Sequence, residues 1–127
     1  MPAEHRILIA DDDRDFRLGL AELLNGLSGR FEIVQAENGE EALVQLRRTA
    51  IDLALLDMHM PVHTGLEVLT TLRLETRSVP CIFISGDATD AVREYALHEG
   101  ALAVLKKPLR PELLRAEVRR VLRLDAA

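Results

Sequence analysis

A chain of 127 residues, 48% apolar and 29% charged, has the composition of one folded domain and excludes a disordered segment. About two-thirds of the unfolded surface can be buried at this length, so no disulfide or structural metal is required, and the single cysteine excludes a disulfide framework. The net charge of −5 argues against direct nucleic-acid binding; no apolar run nears the ~20 residues of a membrane span and no signal-peptide pattern opens the chain, so the expectation is a soluble cytoplasmic protein.

The first apolar run is Arg6–Ala10. It is apolar nearly throughout, as a parallel strand covered on both faces must be. Phe16, Leu20, Leu23, Leu24 and Leu27 then recur at i, i+4, i+7, i+8 and i+11, one face of a helix. Phe31–Ala36 alternates more, which places that strand at a sheet edge. Asn38 and Gly39 mark a turn or helix end. Leu53–Leu56 is again wholly apolar, and Leu66, Leu69 and Leu72 follow at every third position. Cys81–Ser85 reads as the fourth strand. Gly100 marks another helix end, and Ala103–Leu105 is the fifth strand. Pro111 suits a first helical turn, and Leu114, Val118, Val121 and Leu122 form a last stripe expected to run to about Leu124. No linker, repeat or low-complexity segment interrupts this alternation. The expectation is a single α/β domain, residues 1–127 with a core of about 5–124. It is a doubly wound (βα)5 sandwich, because right-handed crossovers put helices on both faces of an open parallel sheet.

In such a sheet, ligands bind beyond the carboxyl ends of the strands. Asp11, Asp12 and Asp13 follow strand 1, and Asp57 follows strand 3. Ser85 ends strand 4 with Gly86 next, and Lys106, Lys107 and Pro108 follow strand 5. Any one of these alone reads as a cap or turn residue, and Asp13 is expected to cap helix 1. Their convergence says more. Two unit charges ~4 Å apart repel by about 4 kcal/mol at an effective dielectric of 20. Asp11, Asp12 and Asp57 together therefore call for a cation, and hard oxygen ligands select Mg²⁺ or a similar ion. A cation, a lysine and a hydroxyl around one carboxylate make a phosphoryl-transfer environment, with Asp57 as the nucleophile that forms an acyl phosphate.

Residues ILIADDDRDFR at strand 1, LALLDMHMPVHTGLEVL around Asp57, IFISG at strand 4 and LKKPL after strand 5 together resemble the receiver domain of two-component response regulators, in a chemotaxis-regulator-like form. The resemblance covers nearly the whole chain. It implies a flavodoxin-like five-stranded sheet of order 2-1-3-4-5. It implies that Asp57 is the phosphoacceptor and that Mg²⁺ is held by Asp11, Asp12, Asp57 and the backbone carbonyl of His59. Ser85 matches the switch hydroxyl, Lys107 the lysine that pairs with the phosphoryl group, and Pro108 the proline whose preceding bond is typically cis. Met60, Pro61 and Gly65 match the loop into helix 3. The implied function is phosphorelay signalling, not turnover as an enzyme. The domain accepts a phosphoryl group from a sensor histidine kinase or phosphotransfer protein and contributes to its own phosphorylation and dephosphorylation. The implied output is a partner protein or domain bound through helix 4, strand 5 and helix 5, with no direct nucleic acid and no membrane.

The chain departs from the family pattern at Val104, where Tyr or Phe is usual, and at Leu109, where Phe is usual. With no ring at 104 to swing inward, the expected moving part is the stretch Gly86–Asp90. Leu102 and Ala103 stand where DNA-binding regulators carry an acidic pair, which argues against that salt-bridged dimer. Two alternatives share the fold. A haloacid-dehalogenase-type phosphohydrolase would use Asp11 as nucleophile, but Asp15 stands where that family has Thr or Val. A flavin module needs a Ser/Thr/Gly-rich phosphate loop, and three aspartates would repel the phosphate. Cys81 reads as a buried small hydrophobe, His63 and His98 as surface residues, and Lys106 as a solvated neighbour. Arg110, Arg115, Arg119, Arg120 and Arg123 read as a solvated face or a partner surface.

Overall fold

The computed structural model describes residues 5–27 and 30–124. The elements run β1 His5–Ala10, α1 Arg14–Leu24, β2 Phe31–Ala36, α2 Gly39–Arg48, β3 Leu53–Asp57, α3 Gly65–Leu74, β4 Cys81–Ser85, α4 Asp90–His98, β5 Ala103–Lys106 and α5 Pro111–Leu122. All strand pairings are parallel, and the order across the sheet is β2-β1-β3-β4-β5. β2 lies at an edge, as its weaker apolar pattern requires.

The central strands alternate sides residue by residue, which is how a continuous apolar run serves two cores. Ile7, Ile9, Leu53, Leu55, Ile82 and Ile84 face α1 and α5, where they meet Leu20, Leu24, Leu114 and Val118. Leu8, Leu56 and Phe83 belong to the opposite core, with Ala42 and Leu46 of α2, Val68 and Leu72 of α3, and Ala96 of α4. Among the described residues, α4 contributes Ala96 as its one fully buried side chain. It is therefore the most lightly anchored of the five helices.

Local chemistry sets the helix starts. Asp13 caps α1 by accepting from the amides of Asp15 and Phe16. Asn38 caps α2, and Thr64 with Glu67 forms a reciprocal capping box on α3. Pro111 opens α5. Gly100 carries φ of +113° directly after α4, a backbone conformation that favours glycine.

Some boundaries differ from the sequence pattern. β3 and β5 each run one residue further, to Asp57 and Lys106, because strand pairing persists past the last apolar side chain. α1 stops at Leu24, and Leu27 is buried from the turn beyond it. α5 ends at Leu122 and not near Leu124: Arg123 turns left-handed and the Leu124 amide bonds back to Arg119. Leu124 still packs on the core, which is why the apolar period seemed to continue the helix. The bounds of the expected core, 5 and 124, fall on described residues, whereas 1–4 and 125–127 lie outside them.

Cys81 is fully buried, and burial pushes its thiol up to about 12. The thiol should not react with a disulfide reagent at pH 8 in the native protein and should react at one equivalent in denaturant. Thiol titration with and without guanidinium checks this.

Candidate phosphoacceptor site

Strand register brings the site together. Ala10 pairs with Leu56, Asp57 with Ile84, and Ser85 with Lys106, so four strand ends finish nearly level. Backbone pairing continues one step beyond the strands. The amide of Asp11 donates to the Ala36 carbonyl, that of Met58 to Ile84, and that of Lys107 to Ser85. The reactive side chains are thus carried on stiff backbone at the carboxyl edge of the sheet.

Asp11, Asp12 and Asp57 bring one carboxylate oxygen each within 4.8 Å of one another. Asp11 and Asp57 are buried, and Asp12 is exposed. The Lys107 ammonium lies 3.0 Å from Asp11 Oδ2 and 3.7 Å from Asp57 Oδ2. It also sits 4.2 Å from the centre of the Phe16 ring, a cation–π contact. Burial alone would lower the Lys107 pKa. The Asp11 hydrogen bond and the charges of Asp57, Asp11 and Asp12 outweigh it, so the ammonium is held charged. The Asp57 pKa is raised as well, which for a carboxyl favours the neutral form: burial and then the Asp11 charge raise it, against the His59 amide and Lys107, which lower it. One lysine does not offset three carboxylates, and the donor set of clustered hard oxygens fits a divalent cation.

The turn after Asp57 is tightly built. The His59 amide donates to Asp57 Oδ1 at 3.3 Å, and the Gly65 amide donates to the Met58 carbonyl at 3.1 Å. A methyl group on Gly65 would lie 2.5 Å from the Asp57 carbonyl oxygen, so only glycine lets α3 start this close to Asp57. The Lys107–Pro108 peptide bond is cis.

Every candidate residue named from sequence lies at this edge of the sheet. Ser85 is fully buried, and its hydroxyl donates to Asp87 Oδ1 at 2.8 Å. Lys106 is exposed, as are His59 and His98, while His63 is half-buried. Val104 is buried beside Phe83 in the core on the α2–α4 side. Sequence reasoning missed Arg17. Its guanidinium donates to the Asp11 carbonyl at 2.6 Å and to Gln35 Oε1 at 3.0 Å, tying the acidic loop to β2. A signal existed: Arg17 precedes Leu20 and Leu24 at i, i+3 and i+7, a charge inside the buried stripe. Asp87 was expected to respond to charge, but its partners were not. It accepts from Ser85 and meets His59 Nε2 at 2.7 Å, and these two bonds hold its carboxyl below the usual range.

Residues 7–119 match the response regulator receiver domain family. The chain belongs to that family. Over 104 residues it is 43% identical to a response regulator receiver protein of Anaeromyxobacter sp. (strain Fw109-5), covering 82% of this chain and 43% of that protein. It is 38% identical to the transcriptional regulatory protein CpxR of Escherichia coli (strain K12), covering 94% of this chain and 50% of CpxR. The chain thus spans about half the length of these curated relatives. The Francisella response regulator 1452 receiver domain superposes with a TM-score of 0.88 at 23% identity, over 94% of this chain and 98% of that one, which shows the shared fold. Vibrio cholerae chemotaxis protein CheY4 superposes with a TM-score of 0.82 at 26% identity, over 94% of this chain and 99% of that one. This receiver domain gives no support to the phosphohydrolase alternative. Asp11, the nucleophile it requires, is tied through Oδ1 to the Asp13 amide and through Oδ2 to Lys107. No helix among the described residues is long and apolar enough to cross a membrane.

Because the folded-state pKa of Asp57 is raised, its ionisation opposes folding. The stability present below its unfolded pKa is lost as pH rises through the folded value. Asp57→Asn should therefore melt above the parent at pH 7 without metal, by roughly 4 °C for about 1 kcal/mol. The gap should shrink towards pH 4. Thermal melts in chelator at both pH values check the sign.

Proposed function

We propose that Asp57 of this receiver domain accepts a phosphoryl group from a sensor histidine kinase or a phosphotransfer protein in the cytoplasm. The whole chain, residues 1–127, is read as the one receiver unit. The observation that carries the reading is a carboxylate at the end of the central strand, flanked by two further carboxylates within 4.8 Å and by an ammonium 3.7 Å away.

Each residue has a role in that reading. An Asp57 carboxylate oxygen attacks phosphorus in line, and the P–N bond to the donor imidazole breaks, with its electron pair returning to that ring. Asp11, Asp12, Asp57 and the His59 backbone carbonyl would hold Mg²⁺. When bound, the ion supplies charge neutralisation for the transferring oxygens. Lys107 pairs with the phosphoryl group, Ser85 turns its hydroxyl towards it, and Arg17 fixes the backbone that presents Asp11. In this reading the domain acts as a phosphoacceptor that assists its own chemistry and not as a turnover enzyme. The output surface is the α4–β5–α5 face, where Tyr95, Leu102 and Leu113 are exposed apolar side chains. The output partner is a protein or an attached domain, with no direct nucleic-acid or membrane contact by this domain.

Acetyl phosphate with Mg²⁺ should label one site with a base- and hydroxylamine-labile adduct, and Asp57→Asn should abolish it. Intact-mass spectrometry reads the added phosphoryl group. Undiminished labelling in Asp57→Asn would move the nucleophile elsewhere.

Millimolar Mg²⁺ should raise the melting temperature of the parent by mass action on the native state. Asp12→Asn should melt higher than the parent in chelator and gain less from Mg²⁺. A parent melt indifferent to Mg²⁺ would remove the metal from the reading.

A further inference from the structure

The Ser85 hydroxyl is already engaged. It donates to Asp87 Oδ1 at 2.8 Å, and the Asp87 amide returns to Ser85 Oγ at 3.3 Å. The same Asp87 oxygen meets His59 Nε2 at 2.7 Å. These residues sit on two separate loops. His59 lies between β3 and α3, two residues after Asp57, and Asp87 lies between β4 and α4. The contact between imidazole and carboxylate therefore bridges the two loops.

A serine hydroxyl has one proton. While Asp87 accepts it, Ser85 has none to offer a group on Asp57. We infer that Asp87, held in place by His59, is a positioning residue that keeps the Ser85 hydroxyl turned away from Asp57, so that the phosphorylated arrangement forms only when this latch opens. The inference rests on Asp57 being the phosphoacceptor.

Opening has a structural consequence. Asp87 is released from both partners, and the short loop from Gly86 to Thr89 loses the bonds that join it to β4 and to the β3–α3 loop. That loop leads directly into α4, whose single fully buried side chain among the described residues is Ala96. The bistable element is thus the loop and the start of α4, with no aromatic rotamer required at Val104.

The test is the affinity for beryllofluoride, a phosphoryl mimic, at saturating Mg²⁺ by titration calorimetry. Asp87→Ala should bind about three- to tenfold tighter than the parent, the low end for a charged hydrogen bond because Asp87 is well exposed. His59→Ala should shift the same way by less, and should add nothing in the Asp87→Ala background because it acts through Asp87. Simple removal of a negative charge would also tighten binding, and two variants separate the causes. In a Ser85→Ala background the gain from Asp87→Ala should vanish, since there is no hydroxyl to release. Asp87→Asn keeps an acceptor oxygen without the charge, and should stay nearer the parent than Asp87→Ala does. A gain that persists without Ser85, an Asn variant equal to the Ala variant, or no gain in Asp87→Ala would each overturn the latch. Undiminished binding by Asp57→Asn would instead overturn the phosphoacceptor reading beneath it.

Discussion

The structure turns on one ammonium placed between buried carboxylates. Lys107 reaches Asp11 at 3.0 Å and Asp57 at 3.7 Å from the end of a strand at the far side of the sheet. Without it, two buried like charges would face each other in a medium that screens them poorly. With it, the edge of the sheet still carries an excess of negative charge, because Asp12 adds a third carboxylate to the cluster. That excess is a standing electrostatic cost. In the proposed function it is the property a phosphoacceptor needs, since it would draw a cation to the place where phosphoryl charge is to be received.

Holding these charges within a few ångströms demands a rigid platform. The sheet supplies it by burying its central strands on both faces, with β3 and β4 enclosed from end to end. The residues behind the site are correspondingly fixed. Arg17 clamps the carbonyl of Asp11, and Gly65 lets the start of α3 press against the carbonyl of Asp57. The β4–α4 side is built differently. Its loop is held through polar bonds that are exposed or only part-buried, and its helix by one small buried side chain. Low local stability belongs with the elements that move, so the molecule divides into a stiff half that carries Asp57 and a looser half that, in the proposed function, reports on it.

Val104 fits that division. A buried valine packed in the α2–α4 core fills space without a polar tip and without a ring to rotate towards solvent. In the proposed latch, movement at this end of the sheet falls to hydrogen bonds, those of Ser85, Asp87 and His59. The His59–Asp87 pair is exposed, and exposed pairs are individually weak, which suits the proposed latch.

Much of this was legible in the residues themselves. The unbroken apolar runs of β1, β3 and β4 follow from burial on two faces, and the weaker alternation of β2 follows from its place at an edge. The acidic triplet after β1, the aspartate after β3 and the lysine after β5 could be assigned to one rim, because parallel strands all present the same end there. Helix ends were less legible. Leu27 and Leu124 keep the apolar period while lying past their helices, since a turn can bury a side chain as well as a helix can. Least legible were the partners of Arg17 and of Asp87. Arg17 bonds to a carbonyl six positions away and to a side chain on the neighbouring strand, and His59 meets Asp87 across 28 residues. Periodicity reports which face a residue occupies, because burial depends on one element at a time. A hydrogen bond depends on two elements meeting at a particular distance and angle, and only the tertiary structure decides that.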